Sequence, residues 1–171
     1  MRKSMLVFAA TLLAIPAAAA AQAPNDAQIA AIVVTANQVD IDAGTLAESH
    51  GSSAEVEAFG KQMVTDHTGV NKQATALVTK LKVTPQDNPT AQSLKSGGEK
   101  NVANLKSLKG AAFDKAYVDN EVAYHQQVID ALDKTLIPSA SNAELKALLV
   151  KVRPAFVAHL EHAKRIQATL K

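Results

Sequence analysis

Apolar residues return at three- and four-residue steps through four long stretches of this chain, and that period leaves few folds open. In the first stretch the positions are Ile29, Ile32, Val33, Ala36, Val39, Ala43, Leu46 and Ala47. Such steps gather side chains on one face of a 3.6-residue helix. The second stretch holds Val56, Phe59, Met63, His67, Val70, Ala74, Leu77 and Leu81. The third holds Phe113, Tyr117, Tyr124, Val128, Ala131 and Leu132. The fourth runs from Leu145 through Leu149, Val152, Phe156, His159, Leu160, Ala163 and Ile166 to Leu170. A helix with one apolar stripe buries it against another element. Aromatic residues make up only 4% of the chain and tryptophan is absent, which favours helix-on-helix packing over a sandwich. There is no cysteine, so packing alone must hold the core.

Local signals divide these stretches. Asn25 or Asp26 can cap the first helix. His50-Gly51 ends it, with glycine able to adopt the left-handed cap. Ser52 with Glu55, and Ser141 with Glu144, have capping-box spacing. Thr84-Pro85-Gln86-Asp87-Asn88-Pro89 breaks the second helix. Between Thr90 and Gly110 the apolar residues Leu94, Val102, Leu105 and Leu108 suggest helix, but Ser96-Gly97-Gly98 interrupts them. This predicts a connection with one or two short helical pieces. The third helix is expected from about Ala111 to Leu136, stopped by Pro138, and Pro154 is expected to kink the fourth. The predicted fold is all-α: a ferritin-like four-helix bundle, with two antiparallel hairpins joined by a long, partly helical crossover.

The first residues read as a targeting segment. Arg2 and Lys3 precede an apolar run from Leu6 to Ile15, too short for the ~20 residues of a membrane span. Ala19-Ala20-Ala21 offers a cleavage site, so residues 1–21 are expected to be a signal peptide and 22–171 the exported domain. No cysteine follows the apolar run, which excludes a lipoprotein. The expected location is the periplasm or the outer-membrane surface, with no transmembrane helix after cleavage. The full chain has 18 basic and 16 acidic residues. Arg2 and Lys3 leave with the signal, and the remainder is balanced at 16 of each. No basic surplus favours nucleic acid or anionic lipid. The sequence specifies no protein partner and leaves homo-oligomerisation open.

Chemistry concentrates in the histidines. His67, His125 and His159 each fall in or beside the apolar stripe of a different helix. If the connection crosses the bundle, the helical rise places Asp40 ~15 Å, His67 ~21 Å, His125 ~20 Å and His159 ~17 Å below the first turn. They then form one layer. Glu121 precedes His125 by one turn, and neutral imidazole with carboxylate suits Zn, Fe or Mn. The primary ligand candidates are therefore His67, His125, His159, Asp40 and Glu121 for one divalent transition metal. His162, Asp42 and Asp66 are second choices. The alternative is a structural or interaction module without metal, whose core histidines form a hydrogen-bonded polar layer. No catalytic set is evident. The wider di-iron proteins use two Glu-x-x-His motifs. Here Val64, Val122 and Phe156 stand three residues before His67, His125 and His159, so a ferroxidase centre is not expected.

Several blocks resemble a known family. Val56-Glu57-Ala58-Phe59, Met63-Val64-Thr65-Asp66-His67 and Asn71 resemble the second-helix signature of the ferritin-like domain of unknown function 4142. Phe113-Asp114-Lys115-Ala116-Tyr117 with His125 matches its third-helix block, and Pro154 with His159-Leu160 and Ala163 its last. Asp40 and Asp42 stand where the family usually has glutamates. The resemblance covers about residues 28 to 170. It implies a ferritin-like four-helix fold and a bacterial envelope location, without an established activity.

Overall fold

The computed structural model describes residues 23–170, and the expected signal peptide at 1–21 lies outside them. The described chain is helical throughout, without strands. The helices are α1 (Asp26–His50), α2 (Ala54–Leu81), α3 (Pro89–Lys106), α4 (Gly110–Ala131), α5 (Ile137–Ser139) and α6 (Ala143–Thr169), with a π-helical turn, Leu132–Leu136, joining α4 to α5. Among the described residues no helix is long and apolar enough to cross a membrane.

Caps set the ends, and several differ from expectation. Asn25 caps α1 reciprocally with Gln28, at 2.9 and 3.0 Å. Gly51 is extended (φ −53°, ψ 141°), not left-handed. A side chain there is excluded by space, since a Cβ would lie 2.7 Å from the Ala47 carbonyl oxygen. The cap of α2 is Ser53, not Ser52, and that of α6 is Asn142, not Ser141. Both displaced serines have another task. Asp114, near the start of α4, accepts from the Ser52 backbone N–H (2.8 Å), the Ser52 hydroxyl (2.6 Å) and the Ser53 N–H (3.0 Å). Asp26, at the start of α1, accepts from the Ser141 and Asn142 N–H groups at 2.9 and 3.0 Å. Each hairpin turn is thus held by an aspartate from the other hairpin.

These clamps reveal the direction of each helix. The α1–α2 turn sits beside the start of α4, and the α5–α6 turn beside the start of α1. The start of α3 returns to the start of α1, where Asn88 donates to the Gln28 carbonyl (3.2 Å). So α3 runs back along α1, and α2 and α4 point the same way. The crossover is one continuous helix of 18 residues, not short pieces. Gly97 and Gly98 do not interrupt it. A Cβ on Gly98 would lie 2.6 Å from Val39 Cγ2, so this glycine lets α3 press against α1. A second close approach joins α1 to α2, where a Cβ on Gly60 would meet the Gly44 carbonyl oxygen at 2.7 Å. Pro138 does not stop the third helix at Leu136. The π turn precedes it, with the Ile137 N–H bonded to the Leu132 carbonyl, and helix resumes to Ser139. Helix α6 stays helical on both sides of Pro154. Proline lacks an N–H for the carbonyl of Val150, a residue 52% exposed and so open to water.

The core has two apolar parts. One gathers Ile29, Ile32, Val33, Val70, Leu132, Leu145, Leu149 and Phe156. The other gathers Ala43, Val56, Phe59, Met63, Leu105, Phe113, Tyr117 and Ile166. On α1, α2 and α4 the two sets are separated along the helix by Asp40, His67, and Glu121 with His125. On α6 His159 stands at the same boundary.

The two adjacent glycines of α3 give a direct test. Nothing lies within 4 Å of a Cβ on Gly97. Gly97→Ala should stabilise the fold by about 0.5–1 kcal/mol through helix propensity. Gly98→Ala should destabilise it by about 1–3 kcal/mol through overpacking against a β-branched side chain. Urea denaturation of both variants checks this, and equal stabilisation by the two would refute the close-approach reading.

Candidate metal centre

The layer that divides the core is polar and almost dry. Asp40 is 3% exposed, His67 1%, His159 2%, and Glu121 and His125 0%. The ring centroids of His67, His125 and His159 lie 5.6, 5.3 and 5.4 Å apart, close to an equilateral triangle. Imidazoles around one tetrahedral ion, with metal–nitrogen distances near 2 Å, would set their centroids about 5 Å apart. Each ring offers a nitrogen within 4.8 Å of the other two. Asp40, Glu121 and His125 satisfy the same criterion, so His125 belongs to both groups.

Hydrogen bonds determine what each ring presents. His67 Nδ1 lies 2.7 Å from Asn37 Oδ1. The Asn37 amide is itself oriented, because its Nδ2 donates to the Val33 carbonyl at 2.7 Å. Its oxygen must therefore accept, and His67 Nδ1 carries a hydrogen. His125 Nδ1 lies 3.1 Å from the Glu121 backbone carbonyl, which can only accept. His159 Nε2 lies 2.9 Å from Asp66 Oδ2 and donates to that carboxylate. The second nitrogens, His67 Nε2, His125 Nε2 and His159 Nδ1, are buried without a hydrogen-bond partner. No hydrogen bond joins one imidazole to another among the described residues. One ring N–H held by an acceptor, with the other nitrogen unpartnered, is the arrangement that supports metal-ligating histidine.

Two buried carboxyl groups share the layer with the rings. Both Glu121 oxygens are buried without a hydrogen bond, as is the Tyr117 hydroxyl. Glu121 Oε2 is 3.4 Å from His125 Nδ1, and Asp40 Oδ2 is 3.4 Å from His67 Nε2. Burial, reinforced by the Glu121 charge, raises the Asp40 carboxyl well above the usual range. Burial opposes charge on His125, but Asp40 and Glu121 together override it and raise its pKa to about 9. Burial, with the neighbouring His125 and His159, holds His67 well below its ordinary value. His159 is also lowered, by burial against the opposing pull of Asp66. Of the three rings, His125 is therefore the one favoured to hold a second proton.

The second-choice residues lie elsewhere. Asp66 is half-buried and orients His159 across the interface between α2 and α6. His162 contacts Gln62 Oε1 at 3.2 Å and packs edge-on against Phe59. Asp42 is exposed and accepts from Gln38 at 2.8 Å. Sequence reasoning missed Asn37. It stands on the α1 stripe, four residues after Val33 and three before Asp40, and a polar residue in that register was the available signal. It also passed over Phe156 as a partner: its ring stacks on His67, with centroids 5.3 Å apart and an interplanar angle of 14°.

A family model described as a domain of unknown function, DUF4142, matches residues 12–166. Neither curated proteins nor solved structures gave a match.

The opposed histidine shifts predict a pH profile for the protein in chelator. An unfolded histidine titrates near pH 6.5. His125, raised in the fold, contributes stability that is complete below that pH and lost as pH rises through about 9. Asp40, also raised, acts in the same direction. His67 and His159, lowered, contribute stability that is present above pH 6.5 and lost as pH falls below it. Thermal melts should therefore show Tm falling from pH 6.5 to 9. His125→Gln should flatten that decline. A parent profile that is flat across this range would mean that His125 is not charged in the fold.

Proposed function

The chain belongs to the DUF4142 family, and we propose that it is an exported ferritin-like bundle that holds one divalent transition metal in its core. His67, His125 and His159 are the ligands, with Asp40 or Glu121 completing the set. The observation that carries this reading is the set of three clustered imidazoles, each with one nitrogen hydrogen-bonded and the other buried without a partner. Such nitrogens cost roughly 1–3 kcal/mol each when buried without compensation. A cation compensates all three and neutralises the adjacent carboxylates.

The donor set suits Zn, Fe or Mn. The three rings would hold an ion only in their neutral form, so His125 would give up its extra proton on loading. They would offer three nitrogens beside one carboxylate oxygen, while Asn37, the Glu121 carbonyl and Asp66 hold the rings in orientation. Holding or buffering metal in the bacterial envelope, with protection against oxidative stress, fits a site this dry. Ferroxidase chemistry is not proposed, since no Glu-x-x-His motif is present. Export rests on the basic, apolar and alanine-rich order of residues 1–21.

Metal analysis of protein purified without a tag, after reconstitution with Zn, Fe or Mn, should give about one equivalent per chain. Less than about a tenth of an equivalent of any of them would end the reading. His67→Ala should abolish stoichiometric binding. Asn37→Leu, which touches no ion, should weaken affinity by about 10- to 100-fold through loss of ring orientation. The metal should also raise Tm more at pH 8 than at pH 6.5, because binding releases a proton. Equal affinities in parent and Asn37→Leu protein would remove Asn37 from the site.

A further inference from the structure

A cavity of ≈ 500 Å³ lies between α1, α3, α4 and α6, beside the histidine layer. Its size falls within the roughly 300–1,000 Å³ of small-molecule pockets. Asn37 and Phe156 form its inner end, the same residues that bond and stack on His67. Its deep wall is apolar and buried, with Ile32, Leu149 and Val152 among the lining residues. The π turn forms one side through Leu132, Thr135 and Leu136. Wide turns of this kind recur at functional sites. Thr90, Gln127 and Thr135 are exposed and mark the mouth. Among the described residues, none that lines the cavity is charged.

We infer that this cavity binds a neutral, single-chain apolar molecule: an alkyl chain with an uncharged polar head. The chain lies inward along the apolar wall, where its burial is favourable in proportion to area. The head stays at the mouth, within reach of two hydroxyls and an amide. Among the described lining residues an anionic head would find no cation, and a cationic head no carboxylate. The cavity's chemistry does not depend on an ion in the adjacent layer, so this inference stands independently of the metal reading.

The test is fluorescence of N-phenyl-1-naphthylamine, a neutral apolar probe, with the purified chain in chelator and again with Zn²⁺. Enhancement in both conditions is expected, and its absence in both would overturn the inference. Displacement by 1-octanol and 1-decanol should differ about fifteenfold, since each buried methylene tightens binding about fourfold. Equal displacement by the two alcohols would overturn it, as would tighter binding of decanoate than of 1-decanol. Val128→Phe and Ala131→Phe each place a ring in the cavity from α4 and should weaken probe binding at least tenfold. Parent-like probe binding by both variants, with circular dichroism and Tm showing them folded, overturns the assignment. Zinc content of the same variants separates the two readings: it should remain at the parent level while probe binding falls.

Discussion

A polar layer across the middle of an apolar core is the constraint on which the rest of this structure depends. Three imidazoles and two carboxylates are buried there, with apolar clusters on both sides. Buried charge is tolerated only when it is paired, protonated or bound to metal. The layer meets half of that demand internally. Asn37, the Glu121 carbonyl and Asp66 hold the outer nitrogens. The other ring nitrogens and both Glu121 oxygens have no such partner, and that unmet demand is what motivates the proposed cation.

Bringing those groups to one level requires helices in fixed register. Two devices supply it. Reciprocal aspartate clamps lock the end of each hairpin to the start of the other, Asp114 on Ser52-Ser53 and Asp26 on Ser141-Asn142. Close approaches at Gly44–Gly60 and at Gly98–Val39 then set the spacing of α1 from α2 and α3. Interiors are packed densely enough that such contacts admit little sliding. The site's geometry is therefore a consequence of contacts at the bundle's ends and flanks as much as of its own residues.

The proposed site links occupancy to protonation. The neighbouring carboxyl groups raise the His125 pKa to about 9. An ion held by the three rings would require all of them neutral, so its affinity would depend on pH. The Glu-x-x-His pairs of the di-iron proteins would supply carboxylates on both sides of an ion pair. This chain supplies imidazole instead, and so a nitrogen-rich site suited to a single ion.

Much of this was legible from the sequence. Steps of three and four residues imply helices because the backbone geometry repeats every 3.6 residues. Helical rise, combined with a crossover connection, places Asp40, His67, His125 and His159 near one depth, since rise per residue is nearly constant. Sequence also set the chemistry of the site, through imidazoles without Glu-x-x-His. What it misjudged were elements whose meaning lies in a neighbour. Gly98 read as a break and is a contact, because only the position of Val39 explains a missing side chain. Ser52 and Ser141 read as caps and serve the aspartate clamps, because the partners are 62 and 115 residues away. Asp66 read as a second-choice ligand, and in the fold its carboxylate bonds His159 from another helix. Local period and composition determined the helices and the ligand types. Tertiary packing alone decided which nitrogen each histidine turns inward, because a ring's orientation is set by whichever acceptor another segment of the chain brings to its far side.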